Sequence, residues 1–169
     1  MTDTVTHYDA IEGYSVQPSY APGEVVRLCT STAAAAYDVT IERWGATREP
    51  VWSATGLAGV EQPTPGDADA AGCGWSPTIE VPTDATWRSG FYLVHLTAHG
   101  APADRAHGYT GFVVRAGGAR ERVLLVLATN TWNAYNDWGG RSLYTGGHEV
   151  SFQRPWGRGM LVRPETERD

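Results

Sequence analysis

Residues 129–144 read TNTWNAYNDWGGRSLY, a run in which most side chains can stack, donate or accept a hydrogen bond. Asn133 and Asn136 carry primary amides, suited either to orienting a substrate amide or to capping a helix that follows them. Trp132 and Trp138 offer the broad apolar surface that lines a small-molecule pocket or fills a core. Gly139 and Gly140 permit a sharp turn, at which a backbone N–H can face an oxyanion. Arg141 suits a carboxylate or an anionic substrate, or else a solvated or interface position, and His148 is a candidate base. The candidates are thus Asn133, Asn136 and His148 for catalysis, and Trp132, Trp138 and Arg141 for substrate binding. Arg154-Pro155 has the look of a strand terminator with an anchoring guanidinium. No Ser or Cys stands in a Gly-x-Ser-x-Gly elbow, so acyl-enzyme chemistry has no candidate nucleophile in this sequence.

Such a loop needs elements to hold it. The preceding run RVLLVLAT is continuously apolar, as in a strand buried on both faces of a parallel sheet, and ligands usually bind at the end of such a strand. A second short strand is expected over HEVSFQ, residues 148–153.

Upstream the pattern differs. VVRLCTST puts Val26, Leu28 and Thr30 on one face, and YDVTIERWG alternates Tyr37, Val39 and Ile41 with polar residues. SGFYLVHLTA is apolar on both faces, which predicts a central strand with His95 as a satisfied core residue; HGYTGFVVRA follows with Phe112 and Val114 on one face. Strands at intervals of roughly ten residues predict an immunoglobulin-like antiparallel β-sandwich. Residues 56–73, rich in Gly, Pro, Ala and Asp, are expected to form a surface loop. The predicted organisation is mainly β: a tail over 1–10, a sandwich over 11–116, a linker over 117–122, and over 121–169 the N-terminal fragment of an α/β catalytic domain. An α/β domain takes several strand–helix units, well over roughly 100 residues. A second polypeptide completing that domain in a hetero-oligomer is therefore expected.

Thirteen basic residues, all Arg, face 19 acidic ones for a net charge of -6, and no basic stripe carries interleaved aromatics. That composition argues against nucleic acid as a partner. No apolar run reaches membrane-span length, and the first residues lack the regions of a signal peptide, so a cytoplasmic protein is expected. Cys29 and Cys73 are expected as free thiols, and neither belongs to a zinc-binding cluster.

The segment TNTWNAYNDWGGRSLY with VSFQRPW, together with the upstream WRSGFYLVHL and HGYTGFVVR, resembles the N-terminal part of the large (beta) subunit of the N,N-dimethylformamidase family. The resemblance runs from about Pro82 to Trp156. It implies a β-sandwich followed by an amidotransferase-like α/β domain, and hydrolysis of the C–N bond of a small amide by a metal-activated water. It further implies a non-haem iron, with Tyr135 and Tyr144 as candidate ligands. Phenolate is a hard anionic oxygen donor suited to ferric iron. Two departures accompany the resemblance. The carboxylate ligand and its neighbouring histidine have no match here, and Trp156 stands where a tyrosine is expected. Two other readings compete with the amidohydrolase. One is a non-catalytic scaffold or assembly subunit. The other is an amidotransferase-fold enzyme of different biosynthetic chemistry, condensation or cyclisation.

Overall fold

The computed structural model describes residues 9–118 and 123–162. The remainder of the expected tail and linker, residues 1–8 and 119–122, and the last residues from 163 lie outside the described part. Two sheets dominate. Strands β1 (Ile11–Ser15), β3 (Val25–Thr32) and β6 (Ile79–Pro82) form one, in the order β1-β3-β6. Strands β2 (Ser19–Tyr20), β4 (Ala36–Trp44), β5 (Arg48–Ala58), β7 (Gly90–Ala98) and β8 (His107–Val114) form the other, in the order β2-β8-β7-β4-β5. Every pairing is antiparallel except the two-residue match of β2 with β8.

The alternation in the sequence decides which faces meet. Val26 and Leu28 of β3, Ile79 and Val81 of β6, and Ile11 of β1 are buried against Tyr37, Val39 and Ile41 of β4, Val94 and Leu96 of β7, and Phe112 and Val114 of β8. The predicted inward faces of these strands are the observed ones, and β7 lies between β4 and β8, as its two apolar faces require. Trp87, Tyr92 and Phe112 stack in this core, with Tyr92 and Phe112 5.5 Å apart and nearly parallel.

Period two also sends Glu12 and Tyr14 of β1 and Cys29 of β3 to the opposite face of the small sheet. A second core lies there, formed by Tyr14, Cys29, Ala68, Cys73, Trp75 and Trp138. The stretch expected as a surface loop supplies Ala68 and Cys73 to it. Residues 56–73 hold the end of β5 and the one-turn helix α1 (Ala68–Ala71), with Ala68, Asp69 and Cys73 buried. Composition marked the turns correctly but could not show that the segment covers a sheet face. Both cysteines are free and buried. Burial holds both thiols above their ordinary range, Cys73 at about 12.

Three further expectations are corrected. Residues 123–128 form no strand, and Val123, Leu124, Leu125 and Val126 are 85%, 84%, 57% and 78% exposed. A strand exists only through its pairing, and no described residue pairs with this segment. Residues 148–153 likewise contain no strand. His95 does not enter the core; it sits half-buried on the outer face of the large sheet. Among the described residues no helix is long and apolar enough to cross a membrane.

Candidate functional site

The aromatic-amide run begins as helix α2 (Thr129–Tyr135) and then folds back along it. No side chain caps its start, and the C-cap is Asn136. The helix therefore precedes Asn136 and contains Asn133, which overturns the expected capping of a following helix. Asn136 instead ties the loop together. Its side-chain N–H donates to the Pro155 carbonyl at 2.9 Å, and its Oδ1 accepts from the backbone N–H of Gly157 at 2.8 Å and of Trp138 at 3.2 Å. Asn133 and Asn136 are both buried.

Arg154 is the hub of the loop. Its buried guanidinium donates to the carbonyls of Ser151 at 3.0 Å, Asn136 at 2.8 Å, Arg141 at 3.3 Å, Asn133 at 3.4 Å and Trp138. Carbonyls left over at the end of α2 thereby find a donor. The expected anchoring guanidinium is present, although it ends a loop and not a strand. Trp138 is fully buried, its indole N–H donating to Glu12 Oε1 at 2.9 Å and its ring meeting Trp75 edge-on at 6.0 Å. It is the plug that holds the segment against the outer face of the small sheet, and its ring contacts protein.

Gly139 and Gly140 take left-handed φ values of 88° and 106°, which glycine adopts without steric cost. A Cβ on Gly139 would lie 3.2 Å from the backbone nitrogen of Asp69. The turn thus lets the chain pass over α1 and brings Arg141 to Asp69, Nε to Oδ2 at 3.2 Å. The carboxylate partner expected of Arg141 is supplied within the chain. Asp69 is buried, and its Oδ1 has no hydrogen-bond partner among the described residues.

From there a turn over 142–147, closed by the Gly147 N–H on the Ser142 carbonyl at 2.9 Å, folds back on α2. Leu143 N–H donates to the Ala134 carbonyl at 3.0 Å. That bond sets Tyr144 over Tyr135, with ring centroids 4.1 Å apart and planes 8° off parallel. The hydrogen bond that the Tyr135 hydroxyl donates to Tyr144 holds the Tyr135 phenol above its ordinary range. The rings are 52% and 65% exposed, so both hydroxyls stand at the surface. His148 is exposed.

A cleft opens between this segment and the large sheet. Leu127, Trp132, Phe152 and Trp156 wall one side; Phe91 and Val113 are among the residues of the other. Thr110 lines it with a buried hydroxyl that has no partner among the described residues. Trp132 is therefore placed as a pocket wall, with Trp156 beside it in the lining. Sequence reasoning missed Glu12, Asp69 and Thr110. Glu12 and Thr110 are lone polar residues within strands, and Asp69 lies in a stretch whose composition signals only turns.

Tyr135 and Tyr144 thus set two phenols, hard oxygen donors, side by side at the surface. Among the described residues no three His, Cys, Asp or Glu side chains cluster to hold a metal.

A family model described as N,N-dimethylformamidase beta subunit-like, C-terminal, matches residues 38–167. The match begins in β4 and runs through the aromatic loop, a wider span than the resemblance seen by eye. It is to the family's C-terminal region, which corrects the expectation of an N-terminal part. No curated protein matches the chain.

Proposed function

Since the chain belongs to the N,N-dimethylformamidase beta subunit-like family, we propose that it is one subunit of a split amidohydrolase that cleaves the C–N bond of a small amide. In this reading Tyr135 and Tyr144 hold a non-haem iron that is completed by donors from a second polypeptide. The stacked phenol pair carries the proposal: two tyrosines nine positions apart converge at the surface, where nothing in packing requires either. Bound iron would supply Lewis-acid polarisation of the amide carbonyl. Trp132 would wall the substrate's apolar side, and Arg141, half-exposed above Asp69, would orient a polar group of the substrate or partner. His148 would exchange protons with the leaving amine.

The unpaired apolar run 123–126 supports the second polypeptide. Four exposed aliphatic side chains in sequence are a surface that water disfavours and that a strand of a partner sheet would cover. The sandwich would be immunoglobulin-like, the completed domain α/β, and the setting cytoplasmic. The absence of a third ligating group among the described residues favours a second reading, a non-catalytic assembly subunit.

The test is to purify the chain with the polypeptide it associates with and measure iron and visible absorption. Iron near one per complex, with a tyrosinate charge-transfer band lost in both Tyr135→Phe and Tyr144→Phe, supports the enzyme reading. A metal-free, colourless complex supports the assembly reading. A stable monomer that binds no second polypeptide refutes both.

A further inference from the structure

The outer face of the large sheet carries a cluster that the proposed amidohydrolase does not use. On β7, Tyr92, Val94 and Leu96 enter the core, so His95 and Thr97 project the other way; on β8, His107 and Tyr109 do the same. The antiparallel register sets Thr97 opposite His107 and His95 opposite Tyr109, which makes the two histidines diagonal neighbours. His95 Nε2 and His107 Nδ1 lie 3.0 Å apart, and Thr97 Oγ1 lies 3.4 Å from each.

We propose that His95, His107 and Thr97 form a binding site for a first-row divalent transition-metal ion of the zinc, nickel or copper class. The geometry is that of one face of a coordination polyhedron. Imidazole nitrogens bind zinc at about 2.0–2.1 Å, so two ligands on one ion stand about 2.9 Å apart at a right angle and about 3.4 Å apart at the tetrahedral angle. The three edges observed, 3.0, 3.4 and 3.4 Å, span that interval. An ion seated over the triangle reaches all three atoms without moving the backbone.

The donor chemistry agrees. Neutral imidazole is the ligand form, and burial together with the neighbouring His107 and Arg48 pushes the His95 pKa down to about 4, leaving this ring neutral at physiological pH. An ion over the triangle would take Nε2 of His95 and Nδ1 of His107, leaving the far nitrogen of each ring to carry its proton. Tyr109 stacks on His95 at 4.7 Å and 11°, which fixes the ring plane. The nearby Arg48 charge opposes a cation. Asp38 lies across from Thr97 in register but is already paired with His99 at 2.8 Å. These groups set a moderate affinity and leave the remaining coordination positions to water or a ligand from solution.

The experiment is calorimetric titration of the full chain with zinc, with cobalt(II) absorption as a second readout. One saturable equivalent is expected, with cobalt bands typical of nitrogen and oxygen donors. His107→Gln, at an exposed position, and His95→Gln should each weaken binding by about a hundredfold or more, since loss of even an outer-shell partner at a metal site costs about 10- to 100-fold. His99→Gln and His148→Gln should leave it unchanged. Circular dichroism of each variant separates lost binding from lost fold. Absence of saturable zinc binding by the folded chain, or undiminished binding in the folded His107→Gln variant, overturns the proposal. Because neither tyrosine of the proposed iron site is involved, Tyr135→Phe should not alter the titration.

Discussion

Replacing Arg154 with Met should release the aromatic loop while leaving the two-sheet body folded. The guanidinium donates to the carbonyls of Ser151, Asn136, Trp138, Arg141 and Asn133. Those to Arg141 and Asn133, at 3.3 and 3.4 Å, are long and weak. The other three are short, and a hydrogen bond to a charged group contributes about 1.5–3 kcal/mol. Their gross contribution is roughly 4.5–9 kcal/mol, against which stands a desolvation cost of several kcal/mol for a buried cation. Met fills most of the volume but leaves the carbonyls unpaired, for a local loss of roughly 3–5 kcal/mol. The main core contains no residue beyond Val114, so that loss belongs to the loop. Hydrogen exchange read by mass spectrometry is the assay. Amides of residues 132–147 should lose protection while those of β4, β7 and β8 keep theirs. Unchanged protection in the loop would show that Arg154 is not its hub. A parallel loss in the central strands would show that loop and sheets unfold as one unit.

Removing the indole hydrogen bond by Trp138→Phe should cost about 1–3 kcal/mol, seen as a lower denaturation midpoint, because Glu12 loses a buried donor. Tyr144→Phe should shift the ionisation of Tyr135 downward, toward the ordinary phenol range, in a spectrophotometric titration; an unmoved midpoint would show that the two hydroxyls do not interact in solution. The His95 pKa in the folded state, about 4, lies below its ordinary value of 6.5. Protons therefore favour the unfolded chain, and stability should fall as pH drops from 6.5 toward 4, by about 1–2 kcal/mol after solvent screening of a half-exposed group. Denaturant titrations at several pH values should show this slope reduced in His95→Gln. Cys29 and Cys73, held as thiols by burial, should resist alkylation at neutral pH until the chain is unfolded.

The sheets were legible because a half-buried strand writes its orientation into every second residue. Tyr37, Val39 and Ile41, or Phe112 and Val114, name their own inward faces. The misread segments lack a signal of that kind. Residues 123–128 are as apolar as a buried strand, but strand formation needs a neighbour, and sequence cannot say where that neighbour is. The 56–73 stretch joins a strand end and one helical turn through irregular chain, and only its position over the outer face of the small sheet makes Ala68 and Cys73 core. Asn136 follows a helix where the capping of a later one is an equal expectation, because Asn favours both ends. It caps a start through its side chain and tolerates the irregular backbone of an end. The pairing of Tyr135 with Tyr144 depends on one backbone bond, Leu143 to Ala134, which no spacing rule supplies.

The loop divides its residues by direction, and that division bears on which can do chemistry. Asn136, Trp138 and Arg154 point inward and are consumed by structure; Tyr135, Arg141, Tyr144 and His148 stay at the surface. A loop whose only task was to dock a strand could be held by far fewer buried polar bonds. Here a buried arginine, an asparagine with three hydrogen bonds and a fully buried tryptophan fix the backbone on which the two phenols stand. Preorganising exposed groups on a rigid base serves binding or catalysis, because the entropy of ordering them is lost at folding and not when a ligand arrives. The same logic accounts for Gly139-Gly140. Their left-handed turn lets the loop cross α1 closely enough for Arg141 to reach Asp69, which fixes the turn that carries Tyr144. Rigidity at the phenols should therefore depend on residues that never touch a ligand. In the Arg154→Met variant the effect of Tyr144 on Tyr135 ionisation should disappear although both tyrosines remain.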